Sequence, residues 1–199
     1  MKRPEPATRP TGLAIFFIIA GAIGFAAACA LTLDKIALLQ DPNAQLSCNF
    51  SVLFGCGTNL NSPQGNILGF PNALLGIAAW GVLITIGAAI LAGARFASWF
   101  WIGLNIGVTG AIALVIWLIS QSIFVLDVLC PWCMVTWSVT IPLFLAVTLY
   151  NLKSGHIPAP ASVRRAAAAA YGWIPLITLG CFIAVAAVAQ LQMDVLNRI

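Results

Sequence analysis

Long apolar runs alternate with short polar breaks along this chain. The runs lie at about residues 13–33, 72–93, 96–126, 131–150 and 171–192. The hydrocarbon core of a bilayer is about 30 Å thick, and a helix rising about 1.5 Å per residue crosses it in about 20 residues. Each run meets that length, so the pattern predicts five membrane-spanning helices. The third is longer than one crossing needs, and its polar end at Ser120, Gln121 and Ser122 is expected outside the hydrocarbon. The first run exceeds the roughly 7–15 apolar residues of a secretory signal and lacks a convincing cleavage site, which makes it a span.

Composition agrees with the pattern. The 199 residues are 61% hydrophobic and 7% charged, where soluble domains carry about 25% charge. An ordinary soluble enzyme and a disordered chain are excluded. A net charge of +4, scattered along the chain, makes no basic face for a nucleic acid. Positive side chains favour the cytoplasmic side of a span. With the N-terminus inside, the inside holds Lys2, Arg3, Arg9, Arg95, Lys153, Arg164 and Arg165, and the outside only Lys35 and Arg198. This predicts an N-in, C-out topology. Between the spans lie a cytoplasmic tail at 1–11, an outer loop at 34–71, a cytoplasmic connector at 151–170 and an outer tail at 194–199. Gly103 and Gly107 are expected to let helices approach closely.

This topology sorts the six cysteines. Cys29 and Cys181 fall within spans, where a free cysteine is a small packing residue. Cys48, Cys56, Cys130 and Cys133 fall at the outer surface, where a compartment that permits disulfides is expected. In Cys130-Pro131-Trp132-Cys133, Pro131 suits the first position of a helix, which makes Cys130 the N-cap. Free N–H groups and the helix dipole stabilise a thiolate there. A structural staple usually closes a longer loop, and structural zinc uses two close pairs, whereas Cys48 and Cys56 are separated by seven residues. Redox chemistry is therefore the favoured reading, with a thiolate metal-binding membrane protein as the alternative. His156, Asp34, Asp41, Asp127 and Asp194 read as solvated charge at loops or span ends. Asn72 stands evenly between a helix cap and a ligand-binding side chain. Four cysteines allow three pairings, and spacing alone does not choose among them.

The order of these residues resembles the vitamin K epoxide reductase family in its bacterial form: Cys48 and Cys56, then Ser62, then Phe70-Pro71-Asn72-Ala73-Leu74-Leu75-Gly76 opening a span, then Cys130-Pro131-Trp132-Cys133 opening another. The resemblance covers roughly residues 12–150. Bacterial four-helix disulfide oxidases of the other type place their CxxC in the first outer loop, so the order separates the two. The resemblance implies an all-α integral membrane protein: a four-helix bundle around a quinone, here with a fifth transmembrane helix at 171–193. Cys130 and Cys133 match the active-site pair, and Cys48 and Cys56 the shuttle pair. Asn72 matches a residue that hydrogen-bonds a quinone carbonyl, and Ser62 one that holds the shuttle segment. Trp137 stands where better-known members have tyrosine; an indole donates a hydrogen bond but accepts none, which makes it a pocket wall.

The implied activity is disulfide generation in a bacterial inner membrane. A thioredoxin-fold (DsbA-like) partner outside the cytoplasm delivers two electrons to the loop pair. They pass to the CxxC and then to ubiquinone or menaquinone. Cys56, nearer the second span, is expected to be the loop cysteine that meets Cys130. No second soluble CxxC follows the fifth span, so the partner is expected to be a separate protein.

Overall fold

A computed structural model describes residues 10–51 and 53–198; most of the expected tail, with Lys2, Arg3 and Arg9, lies outside the described residues, as does Ile199. The chain folds as helix α1 (Thr11–Gln40), a short α2 (Gly57–Asn61) and a 3-10 turn (Pro63–Asn66). Helices α3 (Asn72–Leu91) and α4 (Ser98–Gln121) follow, and α4 widens into a π turn (Ser122–Leu126). Then come α5 (Pro131–Ser154), α6 (Ala161–Tyr171), α7 (Ile174–Met193) and the single turn α8 (Val195–Arg198). No strand occurs among the described residues beyond one isolated bridge, Phe54 to Leu129. Five of the helices are long and apolar enough to cross a membrane. This is an all-α membrane fold.

The core is shared by α1, α3, α4 and α5, through Phe17, Trp80, Leu83, Val108, Leu143 and Val147 among others. Helix α7 lies alongside, joined to α4 and α5 by Val115, Trp137, Ala189 and Met193. The packing of α1 on α3 is the closest, and its cause is local. Ala20, Gly21, Gly24, Ala27 and Ala28 make a buried stripe of small residues along α1, which admits the Trp80 indole and the α3 backbone. A β-carbon on Gly24 would collide with the Trp80 ring, and one on Gly87 of α3 would come within 2.8 Å of Ala14 O. The opposite face of α1 exposes Ile15, Ile19 and Ile23. In water such an apolar stripe is a liability; in lipid it is the solvent-facing surface.

Several boundaries differ from those the hydropathy suggests. Helix α1 is 30 residues long, about 45 Å at the standard rise. Its last turns pass beyond the expected end at Leu33, so the irregular course expected for 34–71 begins at Asp41. Asp34, expected as solvated charge, is 7% exposed on that extension. The connector expected at 151–170 contains α6, an alanine-rich helix packed on α5. His156 is not freely solvated: its ring stacks on Trp101 at 5.6 Å and its Nδ1 lies 3.2 Å from Ser98 Oγ. Gly103 and Gly107 have no neighbour close to where a side chain would begin, and Gly107 lines an open crevice between α3 and α4. Close approach depends instead on Gly21, Gly24 and Gly87. Cys29 and Cys181 are free and half-buried.

Replacing Gly24 by leucine should therefore force α1 from Trp80 and cost about 1–3 kcal/mol, the usual penalty of overpacking. Gly103→Leu, placed over open space, should change stability by no more than about 0.5 kcal/mol. Thermal unfolding of the two variants in one detergent compares them directly.

Candidate functional site

The four surface cysteines converge at one end of the bundle. Pro131 is the first residue of α5 and Cys130 is its N-cap, with extended backbone and its sulfur accepting from Cys133 N–H at 3.4 Å. The segment between α1 and α2 is drawn to this helix start by backbone pairing. Leu129 N–H donates to Leu53 O at 2.9 Å and Gly55 N–H to Leu129 O at 3.1 Å. The turn within that segment is closed by Phe50 and Ser51 N–H groups on Phe54 O, and by Cys56 N–H on Asn49 Oδ1. Helix α2 is held to α1 by Lys35 Nζ, which donates to Leu60 O at 2.8 Å and to Asn61 Oδ1 at 3.2 Å. A lysine suits that position, because the last carbonyls of a helix carry partial negative charge.

These ties place three sulfurs in a row. Cys48 and Cys56 form a disulfide, and Cys56 Sγ lies 3.0 Å from Cys130 Sγ, the sulfur of a free cysteine. The distance suits thiolate attack on a disulfide sulfur. Cys56, and not Cys48, is the loop residue beside the CxxC. Cys48, Cys56 and Cys130 are each at most 1% exposed, so the exchange is screened from water. Cys133 is half-buried and packs between the sulfur cluster and the apolar cluster around Trp137. The Cys130 thiol is held below its usual pKa by the hydrogen bond from the Cys133 side chain. Burial opposes this, while the backbone N–H groups of Cys133 and Trp132 support it and the charge of Asp34 works against it. The result is the nucleophile expected of a cysteine at a helix N-terminus.

A buried carboxylate that sequence reasoning read as bland closes the site. Asp34 Oδ1 accepts from Ser47 N–H at 3.2 Å, and Oδ2 accepts from Ser47 Oγ at 2.8 Å. Ser47 Oγ in turn accepts from Trp132 Nε1 at 2.9 Å. Asp34 thus links the loop to the middle of the CxxC. Its position immediately after the apolar run of α1, with no basic partner nearby in sequence except Lys35, carried no signal of burial. The Asp34 carboxylate and the sulfurs of Cys48 and Cys56 lie within 4.8 Å of one another, a possible metal group by distance. The disulfide occupies both sulfurs, so no thiolate pair is available there in this redox state.

The remaining expected site residues divide into two groups. Ser62 is buried and caps the 3-10 turn: its Oγ accepts from Gly65 N–H at 3.1 Å and donates to Asn59 O at 2.8 Å. Asn72 is the first residue of α3 and turns back on the same segment, donating from Nδ2 to Gln64 O at 2.7 Å and accepting Ile67 N–H at 3.1 Å. Both pin the 62–72 passage. Trp137 lies on the α7 side of α5, in a cavity of about 540 Å³ with Phe54, Leu129 and Ala189. A second cavity of about 420 Å³ opens between α3 and α4, walled by Leu75, Ala79, Gly107 and Ala111 and floored by Thr140 and Leu143 of α5. Asn72 lines neither of these two cavities, and Trp137 does not line the second.

A dithiol at a helix N-terminus, in contact with a loop disulfide at one end of an apolar bundle, defines a membrane oxidoreductase of the thiol–disulfide class. The family model described as the vitamin K epoxide reductase family matches residues 15–148, most of the chain and all four core helices. The chain belongs to that family. No curated protein and no solved structure gives a significant match.

The sign of the Cys130 shift has a direct consequence. A lowered pKa keeps the thiolate populated at pH values where an ordinary cysteine, near about 8.5, is protonated. In a Cys48→Ala, Cys56→Ala chain, the thiolate absorbance that is lost on adding Cys130→Ser should titrate at lower pH than that of an ordinary cysteine thiol. Adding Cys133→Ala instead should move the midpoint upward, because the leading stabilising hydrogen bond is gone.

Proposed function

We propose that this chain generates disulfides at the outer face of a bacterial inner membrane, oxidising a separate thioredoxin-fold partner and passing two electrons to a membrane quinone. The observation that carries this reading is the 3.0 Å contact of Cys56 Sγ with Cys130 Sγ beside an intact Cys48–Cys56 disulfide. A relay of two pairs needs such a meeting point, and here the loop pair is oxidised while Cys130 and Cys133 are free. This is the state that follows electron transfer from loop to CxxC. The partner's thiolate attacks the loop disulfide, after the loop lifts to uncover the buried sulfurs. The partner's second thiol resolves the mixed disulfide, so that the partner leaves oxidised and both loop cysteines are reduced. Cys56 then attacks Cys130 of an oxidised CxxC and releases Cys133 as the leaving thiolate. Closure of Cys48 onto Cys56 releases Cys130 and completes the transfer.

A quinone, ubiquinone or menaquinone, supplies a bilayer-soluble acceptor of two electrons and two protons. The cavity between α3 and α4 fits it best: its size is within the usual range for a small-molecule site, and its wall is apolar apart from Thr140. It also lies wholly within the residues matched by the family model, whereas the far wall of the Trp137 cavity comes from α7 and α8, outside them. Thr140 is two turns along α5 from Cys133, and Asn72 heads the helix that walls the cavity. Asn72 does not line the cavity in this structure; it lies one turn before the wall residue Leu75. Its second amide hydrogen, beyond the bond to Gln64 O, is the one it would offer a quinone carbonyl reaching that end. Ser62 holds the loop over the site, and Trp137 is an apolar wall behind Cys133. The topology is N-in and C-out. Arg95, Lys153, Arg164 and Arg165 lie at helix ends and connectors remote from the cysteines, as the positive-inside bias requires.

The test is turnover by the purified chain in lipid nanodiscs, with a reduced thioredoxin-fold protein as donor and short-chain ubiquinone or menadione as acceptor. One quinone should be reduced per disulfide formed in the donor. Cys56→Ser, Cys130→Ser and Cys133→Ser should each abolish it, a loss of at least about a hundredfold. Failure of the unmodified chain to reduce either quinone, with tight binding of Cu(I) or zinc by the reduced protein, would favour the metal-binding reading instead.

A further inference from the structure

The Asp34 carboxylate has a neighbour whose chemistry depends on redox state. Oδ1 and Oδ2 are oriented by the N–H and hydroxyl of Ser47, and Oδ2 lies 3.3 Å from Cys48 Sγ. In the oxidised loop Cys48 carries no proton, so this contact is a carboxylate oxygen against a disulfide sulfur. Once Cys48 is reduced, its S–H becomes a donor within reach of that oxygen. Asp34 is 7% exposed and Cys48 1%, which leaves bulk water little part in carrying the proton. Burying a carboxylate is costly unless it is hydrogen-bonded. Packing alone would be served by an apolar side chain in its place.

We propose that Asp34 is a catalytic residue of the internal transfer, the base that takes the Cys48 thiol proton as Cys48 closes onto Cys56. The inference rests on the relay described above for its starting state, a disulfide between Cys56 and Cys130. In the step, the Cys48 S–H bond breaks and its proton passes to Asp34 Oδ2. The new Cys48–Cys56 bond forms, the Cys56–Cys130 bond breaks, and its electron pair leaves on Cys130 as thiolate. Cys48 is oxidised, Cys130 is reduced, and the proton is on the carboxylic acid. The leaving sulfur is received by the α5 N-terminus, with Cys133 N–H at 3.4 Å. The step therefore begins at a carboxylate and ends at a helix dipole. Ser47 and Trp132 are positioning residues: the hydrogen bond from Trp132 Nε1 to Ser47 Oγ aims the hydroxyl at Asp34, and through it aims Oδ2 at Cys48.

The ionisable groups facing Asp34 are the sulfurs of Cys48 and Cys56 from the loop and Cys130 from the start of α5. Lys35, the next residue on α1, is directed to Leu60 O and Asn61.

The experiment uses the full chain carrying Cys133→Ser, in which one disulfide is shared among Cys48, Cys56 and Cys130 and neither quinone nor partner is needed. The sample is equilibrated at acid pH and jumped to a series of higher values. Acid quenching and peptide mapping then give the initial rate at which Cys48–Cys56 forms. With Asp34 as base, the rate should vary less than about threefold between pH 6 and 8, because the thiol proton passes to a fixed neighbouring oxygen rather than to solvent. Asp34→Asn should slow it about a hundredfold at pH 6, the lower end for loss of a general base. The deficit should then shrink about tenfold per pH unit as the thiol ionises unaided. A deficit equal at all pH values would mean a structural role and would overturn the proposal, as would a wild-type rate in Asp34→Asn. Should Asp34→Asn not fold, the parent decides alone: a rate already rising tenfold per pH unit overturns the proposal, and a flat one supports it. Failure of Cys48–Cys56 to form at any pH also overturns it, since the internal transfer itself would then not occur. These readouts are independent of quinone turnover, so failure of the relay as a whole is seen separately.

Discussion

Thiol–disulfide exchange requires a third sulfur in contact with a bonded pair, and in this protein the contact joins Cys56 to a residue 74 positions further along the chain. Both segments flank membrane-spanning helices, and neither has a regular structure of its own to fix it. The bridge between Phe54 and Leu129, the lysine tether of α2, the capped turn at Ser62 and the back-bonded Asn72 all act on that one distance. Irregular backbone is costly within hydrocarbon. The chemistry is accordingly built at the bundle end, where loops have water and one another as partners.

The two ends of the bundle divide the work. At the end remote from the cysteines, Trp101 stacks on His156 with Tyr150 tilted against both, and Lys153 lies over the Tyr171 ring at 3.3 Å. Cations beside aromatic rings are the side-chain combination favoured at membrane–water interfaces. At the cysteine end the connections are polar and specific, and the sulfurs are buried beneath them. Between the ends, α1 and α3 pack tightly over a stripe of small residues. Helices α3 and α4, in contrast, leave a crevice in which Gly107 and Ala111 provide room rather than contact. A tight side and an open side within one bundle suit a site that must hold its dithiol steady while admitting a hydrophobic molecule.

How much of this was legible in the sequence follows the range of the forces involved. Hydropathy is additive along a segment, so the five spans could be read directly, with an error at α1, where the helix continues beyond the expected end at Leu33. The N-cap role of Cys130 was legible because capping is a matter of adjacent residues, and Cys-Pro states it. Helix α6 was hidden by its neighbours: Gly155, Pro158 and Pro160 mark a connector just before it, and its alanine run carries no polar–apolar alternation that would mark a packed helix face. Gly103 and Gly107 misled because glycine spacing says that close approach is permitted, while the partner that takes the opportunity is decided elsewhere. Asp34 was misread for the same kind of reason. A charge at a span end is usually solvated, and its burial depends on a loop that folds back from residue 47.

The sequence by itself therefore determined the class: a helical membrane bundle with a cysteine pair at a helix start, a second pair in a loop, and little else able to do chemistry. Those properties depend on transfer free energy, helix period and nearest-neighbour geometry. Only the tertiary structure decided that the loop disulfide is buried, that Trp137 and the α3–α4 cavity lie on different sides of α5, and that Asp34 rests against Cys48. Each is a contact between segments far apart in the chain. Such contacts depend on how loops close and helices rotate, and no local pattern of residues encodes them.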